Sequence, residues 1–243
     1  MNLRSLNLSL VTVAVALCCG GCQNAPGRPG APVTRPDQIA DFHVLYQQNC
    51  AACHGADGKY GDAISLNNPV YLAIAGAGNI QKIAADGVPG TLMPAFATSQ
   101  GGMLTDRQVA IIAQGIVSHW GTSNALGGQT APPYAASSAG DPAQGQKAYA
   151  TFCASCHGAD GKGVTQGKLH TGSIVDPSYL ALITNQGLRS LILAGQPQEG
   201  MPDWRNDLKG SAARSMTDQE VTDIVAWLAS HRVATPGQFY PNP

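Results

Sequence analysis

The stretch CAACHGADGK at residues 50–59 occurs a second time, as CASCHGADGK at residues 153–162. In both copies, two cysteines are separated by two residues and followed directly by a histidine. Cys-x-x-Cys-His is the attachment signal for c-type haem. Its double occurrence indicates that one kind of site has been built twice in this chain.

The spacing within the motif has a mechanical reason. Two thiols three positions apart can reach the two vinyl groups of one porphyrin, while the next residue turns its imidazole onto the iron. The sequence therefore predicts two covalently attached haem c groups. The predicted attachment residues are Cys50, Cys53, Cys153 and Cys156, and the predicted proximal iron ligands are His54 and His157.

Two other kinds of site use a similar cysteine spacing. A thioredoxin-like dithiol uses Cys-x-x-Cys, but it gives no reason for a histidine in both copies. A zinc site would need a second pair of ligands for each motif, and none follows at a finger-like distance. Haem attachment is therefore the interpretation that accounts for all three residues of each motif.

Residues 46–61 and 149–163 resemble the haem-binding segment of class I cytochromes c. The likeness between the copies continues beyond these segments. NPVYLA at residues 68–73 matches DPSYLA at 176–181, and MPAF at 93–96 matches MPDW at 201–204. The resemblance implies an all-α fold with two tandem class I cytochrome c domains, at residues 37–120 and 141–235, joined by a flexible linker at 121–140.

Local signals predict where the helices begin and end. Asp37 and Asp141 are candidate N-caps, and Asn68 and Asp176 are caps followed by proline. Gly87 and Gly195 are expected to stop helices. Thr105 and Thr217 open capping boxes for the last helix of each copy. We find no alternating pattern that predicts a strand.

In the resembled family, a methionine between the middle and last helices commonly supplies the sixth iron ligand. Met93 and Met201 match that position, and each is followed by proline. Met/His ligation raises the reduction potential and occupies the position that oxygen or peroxide would need. Met103 has no counterpart in the second copy, and His170, which would give a bis-histidine site, has none in the first.

Class I cytochromes c usually cross their first and last helices through a small residue on one and an aromatic residue on the other. The second copy matches this pattern with Gly145 and Trp227, whereas the first has Phe42 and Gly115 at the aligned positions. We hypothesise that the bulky residue has changed sides, which conserves the volume of the crossing.

Residues 1–21 are expected to form an export signal, with one charge at Arg4 and an apolar stretch from Leu6 to Leu17. That stretch is too short for a membrane span, which needs about 20 apolar residues. Gly20 and Gly21 before Cys22 resemble a bacterial lipobox, although Cys19 stands where an aliphatic residue is usual. We therefore expect lipidation at Cys22 and a membrane-anchored linker at 22–36. Soluble secretion is the alternative.

Composition excludes other classes of protein. Charged residues make up 12% of the 243 residues and the net charge is −1, which excludes a strongly basic nucleic-acid binder and a charge-driven disordered chain. No small-molecule substrate is evident, and residues 236–243 are expected to be a C-terminal tail.

Together these features predict an exported dihaem cytochrome that relays single electrons on the periplasmic side of a bacterial membrane. Its partners would be redox proteins, and no catalytic residue is expected. One alternative is a fixed subunit of a larger respiratory complex, such as a quinol-oxidising complex or a terminal oxidase. A dihaem peroxidase is the other, but its iron needs an open sixth position.

Overall fold

Helices form nearly all of the regular structure in the part of the chain that a computed structural model describes, namely residues 33–166, 169–206 and 214–236. The first copy forms α1 (Phe42–Asn49), α2 (Ala51–His54), α3 (Pro69–Asp86) and α4 (Asp106–Trp120). The second forms α5 (Pro142–Phe152), α6 (Ala154–His157), α7 (Pro177–Leu182), α8 (Asn185–Ala194) and α9 (Asp218–Ala229). The predicted all-α class is confirmed.

Most of the predicted helix ends are where local chemistry places them. Asn68 and Asp176 accept backbone N–H bonds at the starts of α3 and α7. Both predicted capping boxes are complete, because Thr105 and Thr217 each exchange bonds with the residue three positions on. These caps satisfy N–H groups that have no partner within the helix. The last helix of each copy is therefore fixed at its start by its own sequence.

The first helix of the first copy begins later than predicted. Asp37 lies in a short 3-10 turn, Pro36–Gln38, and the N-cap of α1 is Asp41, whose carboxylate accepts the N–H of Val44 at 2.9 Å. The helix is thus capped four residues further along the chain, and the Asp37 prediction was wrong. Before the cap, the carbonyl of Ile39 accepts a bond from the side chain of Gln108 on α4 at 3.1 Å.

The second copy contains a short hairpin that we did not predict. Strand β1 (Val164–Gln166) pairs antiparallel with β2 (Leu169–Thr171). The hairpin lies between the haem motif and α7, where the second copy is longer than the first. Strands of three residues are too short to show an alternating pattern, which explains why the sequence did not reveal them.

The first and last helices of each copy cross at a glycine, as the swap hypothesis requires. A Cβ atom added to Gly115 would lie 2.0 Å from Cδ2 of Phe42, so these two residues meet in the first copy. In the second copy, a Cβ atom on Gly145 would lie 2.8 Å from Cβ of Trp227. The bulky residue has therefore changed helices between the copies.

The tryptophans that pack on the matching tyrosines of the two copies come from different positions, which the alignment did not predict. In the second copy, the Trp227 ring lies against Tyr149, with ring centroids 4.2 Å apart. In the first copy, Trp120 lies against the matching tyrosine, Tyr46, with centroids 5.1 Å apart. A tryptophan from another position on the last helix thus occupies the same place beside the haem motif.

We expect Gly115→Trp to lower the free energy of unfolding by about 1–3 kcal/mol, because the site is already filled by Phe42 and overpacking a core strains it. Denaturant unfolding followed by circular dichroism would measure the change. Adding Phe42→Ala to Gly115→Trp should recover part of the loss. A variant as stable as the wild type would show that the crossing has spare room.

The segment at 121–140 is held more firmly than a flexible linker would be. Arg189 on α8, whose side chain is 2% exposed, donates to the carbonyl of Pro133 at 2.7 Å and to that of Tyr134 at 3.0 Å. Further along the segment, Ser137 donates to Asp218 on α9 at 2.9 Å. Its composition gave no indication of these contacts, because the anchor is a residue far along the chain.

Several predictions fall on parts of the chain outside the described residues. These are the export signal at 1–21, lipidation at Cys22, most of the linker at 22–36 and nearly all of the tail at 236–243. Within the described residues, no helix is both long and apolar enough to cross a membrane.

Candidate haem sites

Each Cys-x-x-Cys-His motif forms one tight helical turn directly after the first helix of its copy. Cys50 is the C-cap of α1 and the N-cap of α2, and its carbonyl accepts the N–H of Cys53 at 3.2 Å and that of His54 at 3.0 Å. The second motif repeats both bonds from the carbonyl of Cys153, at 3.1 and 2.9 Å. The two cysteines and the histidine of each predicted site are thus brought together on one turn.

A buried tyrosine fixes the chain where it leaves each motif. Tyr46 Oη donates to the carbonyl of Gly55 at 2.8 Å, and Tyr149 Oη donates to that of Gly158 at 2.5 Å. Gly55 has a φ of +83°, and a Cβ atom there would lie 2.0 Å from the carbonyl oxygen of Lys59. Only glycine can make this turn without strain. The sequence analysis did not assign this role to the tyrosines, although both stand at matching positions.

The cysteines of the motifs lack the properties of a redox dithiol. None of the four is in a disulfide. Burial raises the pKa of the Cys50 thiol to about 11 and that of the Cys153 thiol to about 12. A reactive dithiol needs a thiol pKa that is lowered, not raised. The raised pKa values of Cys50 and Cys153 therefore disfavour the thioredoxin-like alternative.

His54 is oriented as an iron ligand should be. Its side chain is 7% exposed, and Nδ1 lies 2.8 Å from the carbonyl oxygen of Ile64. Burial lowers its pKa, which favours the neutral ring. A neutral imidazole that donates Nδ1–H to a carbonyl leaves Nε2 with a lone pair for a metal. These features fit the prediction of His54 as the proximal ligand of a haem iron, which stays a prediction.

His157 differs from His54 in its anchoring. Its Nδ1 is buried and has no hydrogen-bond partner among the described residues, and burial lowers its pKa as well. Gly172 aligns with Ile64, but it directly follows the hairpin, which redirects the chain at this point. The second histidine therefore lacks the carbonyl bond that orients the ring of His54, although buried polar atoms are rarely left unpaired.

The donor types in each site also fit a haem rather than a bare ion. Among the described residues, no cluster of three or more histidine, cysteine or acidic side chains could hold a metal by itself. The two thiols and the histidine of each motif are therefore not grouped as the ligands of a closed zinc site would be. A histidine and a methionine are the usual axial pair when a porphyrin supplies the other four donors.

The two methionines lie on matching loops after the middle helices. Gly87, with a φ of +68°, ends α3, and the N–H of Val88 bonds to the carbonyl of Met93 at 3.0 Å. In the second copy, Gln196 and Met201 exchange backbone bonds of 3.0 and 3.1 Å. Both methionine side chains are partly buried. Their role as distal ligands stays a prediction.

The two rival ligands are in exposed positions. Met103 is 87% exposed. His170 is also exposed, and it lies on β2, where its Nδ1 is 2.9 Å from the hydroxyl of Thr165. These positions favour Met93 and Met201 as the distal ligands.

Comparison with known proteins identifies each copy separately. The family described as "Cytochrome c" matches residues 142–232, and the family described as "Cytochrome C oxidase, cbb3-type, subunit III" matches residues 37–114. The chain is also similar to the "Cbb3-type cytochrome c oxidase subunit CcoP" of Azospirillum sp. (strain B510), at 31% identity over 136 residues. That match covers 51% of this chain and 41% of the relative.

Proposed function

Because this chain consists of two tandem domains of the class I cytochrome c family, we propose that it binds two haem c groups and passes single electrons between them and outside redox partners. Haem iron supplies the one-electron chemistry when it is bound. In the proposed sites, Cys50 and Cys53 hold the first group and Cys153 and Cys156 the second. His54 and Met93 would be the axial ligands of the first iron, and His157 and Met201 those of the second.

The anchoring of His54 is the observation that best supports this function. The bond from Nδ1 to the Ile64 carbonyl fixes both the tautomer and the plane of the ring, and only Nε2 remains for the iron. Burial lowers the pKa of the His54 ring, which favours its neutral form. A ligand that is already held in one orientation needs little rearrangement when an electron arrives, which suits electron transfer.

The proposal does not include catalysis. A peroxidase needs an iron with an open sixth position, whereas each copy offers a methionine on a matching loop. Electron transfer also needs no general acid or base. We therefore assign the chain the role of electron carrier and assign no residue a catalytic role.

A fixed place in a respiratory complex is the second candidate function. It is favoured by the similarity to the CcoP subunit of a cbb3-type oxidase and by the match of residues 37–114 to a family of such subunits. In either role, the chain would act on the periplasmic side of a membrane, held there by a lipid on Cys22. Co-purification with membrane subunits after mild solubilisation would favour the subunit, and isolation of the chain alone would favour the mobile carrier.

The haem count tests the proposed function directly. We expect a pyridine haemochrome assay on the purified chain to give two haem c groups per polypeptide. The paired substitutions Cys50→Ala with Cys53→Ala should reduce the count to one, since each pair of thiols serves one porphyrin. Cys153→Ala with Cys156→Ala is the matched experiment on the other copy. A wild-type chain without haem, or pairs of variants that keep both groups, would refute the proposal.

A further inference from the structure

Asn68 joins the two copies through hydrogen bonds that are closed to water. Its side chain is 3% exposed, and Nδ2 donates to the carbonyl of Ala194 at 3.1 Å and to that of Gly195 at 3.2 Å. The oxygen of the same amide caps α3, accepting the N–H groups of Val70 at 3.0 Å and Tyr71 at 3.1 Å. One side chain thus satisfies the start of a helix in the first copy and the end of a helix in the second.

Apolar contacts surround this pair of bonds. Val70 and Ile74 on α3 pack against the core of the second copy. Ala194 on α8 belongs in turn to the core of the first copy. A hydrogen bond enclosed by apolar packing is costly to break, because each polar group would be left unpaired away from water. The two copies therefore meet at a specific contact.

The segment between the copies reinforces this contact. Tyr134 packs on the core of the first copy, and its carbonyl accepts bonds from Gln186 at 2.9 Å and Arg189 at 3.0 Å on α8. The Arg189 guanidinium also bonds to Thr222 at 3.0 Å and pairs with Asp218, both on α9. Helix α8 is thus fixed to the rest of its own copy as well as to the first.

The carbonyls that Asn68 binds lie at the base of the loop that carries Met201. Gly195 ends α8 with a φ of +64°, and the next residue, Gln196, exchanges two backbone bonds with Met201. A Cβ atom on Gly195 would lie 2.5 Å from the carbonyl carbon of Pro202, so the two ends of the loop are in close contact. Movement at Ala194 and Gly195 would therefore be passed directly to Met201.

The matching position in the second copy shows that capping alone does not require asparagine. Asp176 caps α7 through bonds of 2.8 and 3.0 Å to the N–H groups of Ser178 and Tyr179. An ionised carboxylate accepts hydrogen bonds but cannot donate one. Asn68 must both cap a helix and donate to the second copy, and an amide can do both. Asp176 only caps a helix, and a carboxylate is enough for that.

We propose that Asn68, in the first copy, is a positioning residue for the second haem site, because it holds the base of the loop that carries Met201. This inference rests on the proposed function, in which Met201 is the distal ligand of the second iron. The Asn68 amide fixes the Gly195 carbonyl, and the fixed loop would hold the Met201 sulfur in place for the second iron. The ligation of one haem thus depends on a residue from the other copy.

Asn68→Asp in the haem-loaded full chain tests this proposal. The variant keeps the cap of α3 but removes the donor and brings a carboxylate against two carbonyl oxygens. We expect about tenfold faster amide hydrogen exchange in residues 195–202, the scale expected from losing two buried bonds. We also expect a weaker Met–iron absorption band and a lower midpoint potential for the second haem only. The first haem serves as the internal reference.

Two further variants distinguish the loss of the bonds to the second copy from an effect on helix capping. Asp176→Asn should change neither haem, because Asp176 is exposed and its two bonds serve only the start of α7. Asn68→Ser keeps a capping hydroxyl on a shorter side chain, so it should reproduce the effects of Asn68→Asp. Unchanged exchange and an unchanged second haem in both Asn68 variants would overturn the proposal, as would equal changes in both haems.

Met201→Ala distinguishes a failure of the Asn68 proposal from a failure of the proposed function. If Met201→Ala leaves the spectrum of the second haem unchanged, Met201 is not its ligand and the proposed function is wrong at that residue. The positioning role would then fall with it, even if hydrogen exchange still showed that Asn68 holds the loop.

Discussion

Met201→Ala is expected to lower the midpoint potential of one of the two haems by about 0.1 V or more, within the roughly 0.8 V over which axial ligands set haem potentials. The thioether is a soft, neutral donor that favours ferrous iron, so its loss stabilises the ferric form. The change should also leave the sixth position open to carbon monoxide. A potentiometric titration followed by absorption spectra would measure both effects.

The first copy provides the matched experiment, and its exposed methionine provides the control. Met93→Ala should shift the other haem by a similar amount and leave the second as it was. Met103→Ala should change neither haem, because that side chain is 87% exposed. If neither Met93→Ala nor Met201→Ala altered a potential or allowed carbon monoxide to bind, the proposed distal ligands would be wrong.

Gly145→Ala is expected to have the largest effect on stability, about 3 kcal/mol, at the upper end of the range for overpacked cores. A Cβ atom there would lie 2.0 Å from the carbonyl oxygen of Asp223 and 2.5 Å from its carbonyl carbon. These are backbone atoms of α9, so no side-chain rotation can relieve the clash and the two helices must move apart. Denaturant unfolding of the haem-loaded protein would measure the loss.

A second helical glycine serves as the control for Gly145→Ala. Gly78 lies within α3, and a Cβ atom there would meet nothing within 4 Å. Gly78→Ala should therefore raise the free energy of unfolding slightly, by about 0.4–1 kcal/mol, because alanine restricts the unfolded chain. Equal effects at the two glycines would show that helix propensity, rather than contact between α5 and α9, determines the result.

The features that sequence predicted well are those encoded within a few residues. The caps at Asn68 and Asp176 and the capping boxes at Thr105 and Thr217 depend only on neighbouring backbone groups, and all four are confirmed. Asp37 had a suitable side chain as well, but the helix is capped by Asp41 four residues later. The side-chain chemistry of two nearby aspartates does not show which of them caps the helix.

The same limit explains what was missed around the candidate sites. The motif predicted that His54 and its cysteines lie together, yet the carbonyl of Ile64 as the partner of His54 has no side-chain signature. The packing of Trp120 on Tyr46 was not predicted, because Trp120 does not align with Trp227, which packs on the matching tyrosine of the second copy. The anchoring of residues 121–140 depends on backbone carbonyls, which every sequence contains.

The hydrogen bonds from Arg189 to the carbonyls of residues 133 and 134 affect where a fragment of this chain should begin when it is expressed alone. A fragment that starts at Asp141 would include the whole of the second repeat. In that fragment, however, the nearly buried Arg189 guanidinium would lose its bonds to the Pro133 and Tyr134 carbonyls. A fragment that starts before Pro133 would retain them. The longer fragment should therefore be the more stable of the two, although Arg189 keeps its pair with Asp218 in both.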